Sequence, residues 1–176
     1  METLEAIFTR RSVRSFTSQR IEGELLQQVV QAGAASPSGG NLQAWGFVVV
    51  QGGGRLKALR SLAPGIIGEP AAVIVICLDT VRASRLGGKG SQEASWIDAG
   101  LALENMLLAA HSLGLGACPI GSFHRQSLAL FLEMPAGVQP ILLLALGYPQ
   151  VKPTSPGRRP LSEVVFSEKC GALYVR

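Results

Sequence analysis

The sequence predicts a single mixed α and β domain over residues 1–176, and three observations carry that expectation. Its 176 residues fit one domain and are enough to bury a core without metal or disulfide staples. Apolar residues recur at helical spacing in some stretches and form short β-branched runs in others. Clusters of Gly, Pro, Ser and Asn separate the two kinds, and neither an internal repeat nor a linker marks a domain boundary.

Leu4, Ile7 and Phe8 are spaced for a helix at the N-terminus. From Ile21, the apolar positions Leu25, Leu26, Val29, Val30 and Gly33 recur on one face while Glu22, Glu24, Gln27, Gln28 and Gln31 lie elsewhere, the pattern of an amphipathic surface helix. Ser36 to Asn41 is a loop, and Trp45 to Val50 reads as a strand. Gly52-Gly53-Gly54 turns the chain into a short helix, Leu56 to Leu62, and Val73 to Ile76 is a second strand. Arg82 to Gly90 is polar and glycine-rich, which predicts a mobile surface connection and a place for a lid. Trp96 to Leu113 is a long helix, apolar almost all round, stopped by Gly114 to Gly116. A short helix over Gln126 to Leu132, a strand over Ile141 to Leu146 and a terminal strand over Ala172 to Val175 complete the reading.

Hydrophobic residues make up 47% of the chain and charged residues 16%, an apolar balance that calls for buried surface beyond one monomer core and predicts an oligomer. The longest apolar runs, Pro70 to Leu78 and Pro140 to Leu146, fall far short of the ~18 residues of a membrane span. No basic segment followed by an apolar core opens the sequence, so the expected compartment is the cytoplasm. Cys77, Cys118 and Cys170 lack C-x-x-C spacing and read as structural thiols, with no metal site. The net charge of +4 rests mostly on arginines, which favours bidentate phosphate capture over nucleic-acid binding.

Hydrolase and NTPase signatures are missing. No G-x-S-x-G elbow or G-x-x-x-x-G-K-[ST] loop occurs, Gly114-Leu115-Gly116 follows a helix instead of a strand, and His111 and His124 have no partner spacing for a metal. What remains is arginine, glycine and small polar residues, which suits a protein that binds an anionic cofactor and leaves the reaction to it. Arg10-Arg11-Ser12-Val13-Arg14-Ser15-Phe16 ends a helix in guanidiniums and hydroxyls able to meet one phosphate, or simply to cap the helix. In Ser36 to Trp45 the glycines let the backbone approach a ligand, while Ser38, Asn41 and Gln43 offer hydrogen bonds. Gly157-Arg158-Arg159-Pro160 adds a third basic segment.

Taken together these segments resemble the nitroreductase family of FMN proteins. Arg10 to Phe16 is similar to the family's R-R-S-x-R-x-F, and Ser36 to Trp45 to its S-P-S-x-x-N-x-Q-P-W. Ile97-Asp98-Ala99-Gly100 and the stretch Gly114 to Gly121 resemble its central helix and the turn beyond that helix. Ala145 to Pro149 and Arg158 to Val164 resemble its closing strand and tail. Ala44 replaces the proline expected before Trp45, Gly121-Ser122 stands where several members have Glu-Gly, and the stretch from Asp79 to Trp96 is short.

The resemblance implies a three-layer α+β fold, a mostly antiparallel central sheet wrapped by helices, in a homodimer that exchanges terminal segments. It implies that Arg10, Arg11, Ser12, Arg158 and Arg159 hold the FMN phosphate and that Arg14 lies at the flavin N1 and O2 edge. Pro37, Ser38, Asn41 and Gln43 would approach the flavin from the partner subunit, and Pro119, Ile120, Gly121 and Ser122 would pack beside the ring near N5. The expected activity is ping-pong hydride transfer from NADH or NADPH through the flavin to a small-molecule acceptor such as a nitroaromatic or quinone. Alternatives are a flavin carrier or sensor, or a specialised relative that dehalogenates, fragments flavin or dehydrogenates.

Overall fold

The computed structural model describes residues 1–85, 88–172 and 174. Four strands, β1 (Trp45–Gln51), β2 (Ala72–Asp79), β3 (Gly116–Ile120) and β4 (Val138–Gly147), form one antiparallel sheet in the order β1-β2-β4-β3. Among the described residues, six α-helices surround it: α1 (Thr3–Thr9), α2 (Gly23–Ala34), α3 (Gly53–Leu62), α4 (Thr80–Ala83), α5 (Gly88–Ser112) and α6 (Arg125–Phe131).

The central strands are apolar without alternation because both faces are covered. On β2, Ile74, Ile76 and Leu78 point to one side, where Leu26 and Val29 of α2 and Leu103, Met106 and Leu107 of α5 meet them. Val73, Val75 and Cys77 point to the other, against Leu56 and Leu59 of α3, Leu128 of α6, and Val13 and Phe16 of the N-terminal segment. The result is the three-layer α+β arrangement, helices on both sides of one antiparallel sheet.

Two expectations need correction. The long helix begins at Gly88, not Trp96. Residues expected in a mobile connection are helical instead: Asp79 caps α4 by accepting from the Arg82 N–H at 2.8 Å, and Gly88 to Gly90 form the first turn of α5. Gln92 donates back to Ser84 Oγ at 2.7 Å, so α4 braces the start of α5 despite the two helix-weakening glycines. The lid expectation otherwise falls on residues 86 and 87, outside the described residues. Second, the segment read only as a turn after α5 contains β3. Pro119 hid it, since proline weakens a strand by removing a ladder donor, yet β3 is an edge strand and tolerates it. The terminal strand expected over Ala172 to Val175 includes residues 173 and 175, which lie outside the described residues; Ala172 is in a bend.

The apolar circumference of α5 is as expected. Ala99, Ala102, Leu103, Met106 and Ala110 are buried within the chain, while Ile97 is 67% and Leu101 43% exposed on the opposite side. On α1, which packs on α5, Leu4 and Phe8 are also exposed. Leu144, fully buried between β2 and β3, tests the core. Leu144→Ala is expected to cost about 2–5 kcal/mol, read as a lowered midpoint in chemical denaturation.

Candidate cofactor site

After α1 the chain turns at Arg10 (φ −55°, ψ 135°) and runs extended along the sheet edge. Ser12 bridges Ala117 of β3 in parallel, the Val13 N–H donates to the Ala117 carbonyl at 2.9 Å, and Phe16 bridges Pro149. Val13 and Phe16 are buried, so they hold the segment down. Close approach needs Gly116, because a Cβ there would lie 2.7–2.9 Å from the Val13 side chain.

This docking places Arg10 and Arg11 at a cavity of about 660 Å³ that also takes in Thr9, His111, Lys152 and Ser155. The Arg10 Nε is 3.4 Å from Glu104 Oε1. It is buried and makes no hydrogen bond among the described residues, an unmet donor of the kind that costs stability unless something else accepts from it. Arg11 donates to the Phe8 and Arg10 carbonyls at 2.8 and 2.7 Å, so it caps α1 while its other amino group donates to Ser155 Oγ at 2.8 Å and ties the tail in place. Ser12 is half-buried. A buried guanidinium N–H that pairs with Glu104 only by charge and makes no hydrogen bond among the described residues, in a cavity with Arg11 and Lys152, fits a phosphate group.

His111 lies 2.8 Å from Thr9 Oγ1. Its pKa is lowered by burial first, then by the nearby Arg10 and Arg11 charges, with Glu5 opposing. Sequence reasoning gave His111 no ligand role and passed over Lys152. The bridge between Phe16 and Pro149 is what brings Lys152 to the arginines, and nothing local in the sequence reports it.

Further along, the loop after α3 joins Arg14 to the end of β3. Gly68 has φ 75° and leaves no room for a Cβ against the Arg14 carbonyl. The Gly65 N–H donates to the Ser122 carbonyl at 3.1 Å, and the His124 N–H to the Leu62 carbonyl at 2.8 Å. Arg14 is exposed, as are Pro119, Gly121 and Ser122, whereas the Ile120 side chain is buried, leaving only its backbone for a ligand. Beneath them Cys118 is held above its ordinary pKa by burial, against the pull of Arg14, and burial pushes Cys77 up to about 11. Both thiols are buried in the core, whereas Cys170 is exposed.

The Ser36 to Gln43 loop stands apart from these groups. The Gly39 N–H donates to Asp98 Oδ2 at 3.1 Å, the Gln43 N–H to Ser38 Oγ at 3.0 Å, and Gln43 Nε2 to Asn41 Oδ1 at 2.9 Å. Asn41 and Gln43 have φ of 54° and 49°, a left-handed backbone that costs non-glycine residues and tends to mark functional loops. Pro37 is exposed, and the Ser36 Oγ is buried with no partner among the described residues. At a rise of about 1.5 Å per residue, Asp98 lies about 9 Å along α5 from Glu104, which meets Arg10, and about 20 Å from His111. One chain therefore holds the loop against the middle of α5 and the Arg10 cavity toward its C-terminal end.

Arg158 and Arg159 are exposed and do not line the cavity. Arg159 pairs with Glu163 at 3.1 Å and donates to the Glu163 carbonyl at 2.9 Å, while Arg158 donates to the Gly157 carbonyl at 3.4 Å. Arg10, Arg11 and Ser12 thus form one group, Arg14 with Pro119 to Ser122 a second, Pro37 to Gln43 a third, and Arg158 with Arg159 a fourth.

Comparison with known proteins gives consistent results. A family model described as the nitroreductase family matches residues 7–72 and 62–148. The chain is 31% identical over 159 residues to a putative NADH dehydrogenase/NAD(P)H nitroreductase of Methanothermobacter thermautotrophicus, covering 87% of this chain and 80% of the relative. It is 31% identical over 183 residues to an NAD(P)H-linked FMN reductase of Bacillus subtilis, covering 95% and 74%. The solved NADPH:FMN oxidoreductase of Vibrio harveyi, complexed with NAD+, superimposes with a TM-score of 0.86 at 28% identity, covering 98% of this chain and 79% of that one.

The depressed His111 pKa has a testable sign. Because the fold disfavours the charged imidazole, the unfolded chain binds more protons below His111's ordinary value of 6.5, and stability falls as pH drops through it. Thermal midpoints from about pH 7 to about pH 5 should therefore fall less in His111→Gln than in the unaltered protein. Equal falls would show that His111 is not the group responsible.

Proposed function

The chain belongs to the nitroreductase family, and from that premise we propose that it is an FMN-dependent NAD(P)H oxidoreductase that works by a ping-pong mechanism as a homodimer. One observation carries the cofactor reading: the buried, unmet Arg10 Nε in a cavity with Arg11 and Lys152. FMN, when bound, supplies hydride transfer between NAD(P)H and an acceptor such as a nitroaromatic or quinone, both taking the same place in turn.

The chain's own groups bind and polarise. Arg10, Arg11 and Ser12 hold the phosphate, with Lys152 added from the structure and Arg158 and Arg159 brought in from the tail. For Arg159 this means leaving Glu163, an exposed pair of the kind worth little, about 0–1 kcal/mol. Arg14 sets a fixed positive charge at the N1 and O2 edge, and the backbone of Gly121 and Ser122 offers N–H groups near N5. Such donors stabilise developing negative charge without having to reorganise. Ile120 contributes backbone and Pro119 an exposed apolar surface.

The partner subunit completes the site. The loop docked on Asp98 does not line its own chain's arginine cavity, and it serves another chain's cofactor, which gives Pro37, Ser38, Asn41 and Gln43 their role. Exposed Leu4, Phe8, Ile97 and Leu101 provide the apolar surface that a two-fold copy would cover with the same patch.

Stopped-flow mixing with NADH or NADPH should bleach the flavin absorbance of the purified protein; failure with both donors would remove the oxidoreductase reading. The shared site has its own test. In a mixed dimer of Arg10→Ala and Asn41→Ala subunits, both defects should fall in one site, leaving the other with unaltered FMN affinity. The damaged site should bind at least about tenfold more weakly, the scale of one lost charge-assisted hydrogen bond. Two equally weakened sites would refute the crossed arrangement.

A further inference from the structure

A second cavity, about 1020 Å³, opens beside Arg14 at the end of the sheet where β1 finishes and β2 begins. It is lined by Arg14, Arg20, Lys57 and Arg60, with Glu69 as its one carboxylate among the described residues. Glu69 is paired with Arg60 at 3.3 Å, while Arg20 and Lys57 are exposed and make no ion pair among the described residues. Lys57 and Arg60 lie three apart on α3, so two like charges share one helix face, an arrangement that destabilises the free helix by a few tenths of a kcal/mol. Arg20 adds a third cation from an unrelated segment. This concentration of positive charge calls for an anion, and the volume is far beyond an inorganic ion and at the upper end of small-molecule sites. Arg14 belongs to both this cavity and the proposed N1 and O2 edge of the flavin, so a ligand seated here would extend from beside the flavin ring.

We propose that this cavity binds the phosphate groups of the nicotinamide donor, a role for Arg20, Lys57 and Arg60 that rests on the oxidoreductase reading above. The phosphate comes from one of two parts of the donor: the diphosphate bridge common to NADH and NADPH, or the ribose phosphate found only on NADPH. The site is electrostatic and outside the flavin contacts, so it sets donor affinity and leaves the hydride step alone.

The test uses the flavin-loaded protein and the Arg20→Gln/Lys57→Gln double variant. The apparent Kd for the donor, read from the concentration dependence of flavin bleaching, should rise about tenfold, with limiting bleaching rate and FMN affinity unchanged. Glu69→Gln removes the opposing charge and should lower the donor Kd, a reversal that a packing role would not produce. Equal weakening of both donors assigns the diphosphate, and weakening of NADPH alone assigns the ribose phosphate. An unchanged donor Kd in the double variant overturns the proposal. If neither donor bleaches the unaltered protein, the oxidoreductase reading has failed, and calorimetry with inorganic pyrophosphate decides the cavity separately. Binding that disappears in the double variant keeps the phosphate site, and absence of binding removes it.

Discussion

The docking of Ser12 to Phe16 onto the edge of the sheet is the contact on which the site depends. Val13 and Phe16 are buried at two points along an extended segment, so the residues between and before them cannot slide. A shift of one residue would put Ser12 and Ser15, or Arg14 and Thr17, where Val13 and Phe16 now lie, which the loss of two large buried side chains forbids. The register therefore fixes Arg10 and Arg11 toward the cavity at the end of α5, and Arg14 toward the loop that carries Gly65 and Gly68. Charge placement here is a consequence of apolar packing.

The length of α5 imposes the second constraint. The helix acts as a spacer: Asp98 holds the Gly39 N–H near its middle, and His111 and Leu107 border the arginine cavity toward its C-terminal end. Shortening the helix would bring the two groups together in one chain, but would also withdraw Ala99, Leu103 and Met106 from the layer that covers β2. The same residues that build the core thus separate the two halves of the site, and the exposed Ile97 and Leu101 face away from that core.

Most of the elements were legible in the sequence because their periodicity is set by burial. The 3.6-residue pattern of α2 and the apolar run of β2 come directly from a helix covered on one side and a strand covered on both. Failures came where tertiary contacts override local preference. Gly88 and Gly90 weaken a helix on their own, and only bracing by α4 keeps them in one; Pro119 argues against a strand, and only its edge position permits it. The candidate site divides in the same way. Contiguous residues such as Arg10 to Arg14 could be read from motif and chemistry, whereas Lys152 and Arg20 reach their cavities through long-range pairing that no short segment encodes.

Around its arginines the folded chain offers charge that does not titrate. The Cys77 and Cys118 thiols are pushed up by burial, so they stay protonated, and His111 is held toward its neutral form by burial and by the arginines themselves. A guanidinium is a fixed charge across the neutral range. A site built from such groups holds an anion with nearly constant strength across the neutral range and does not compete for the protons of a reaction carried by a bound group. That constancy has a cost in the free protein, seen in the Arg10 Nε without a hydrogen bond and in the like charges on α3, a cost that phosphate oxygens would offset by accepting from those donors. Folding and ligand capture are linked by the same guanidiniums, so a bound phosphate should raise the stability of the N-terminal segment as well as fill the cavity.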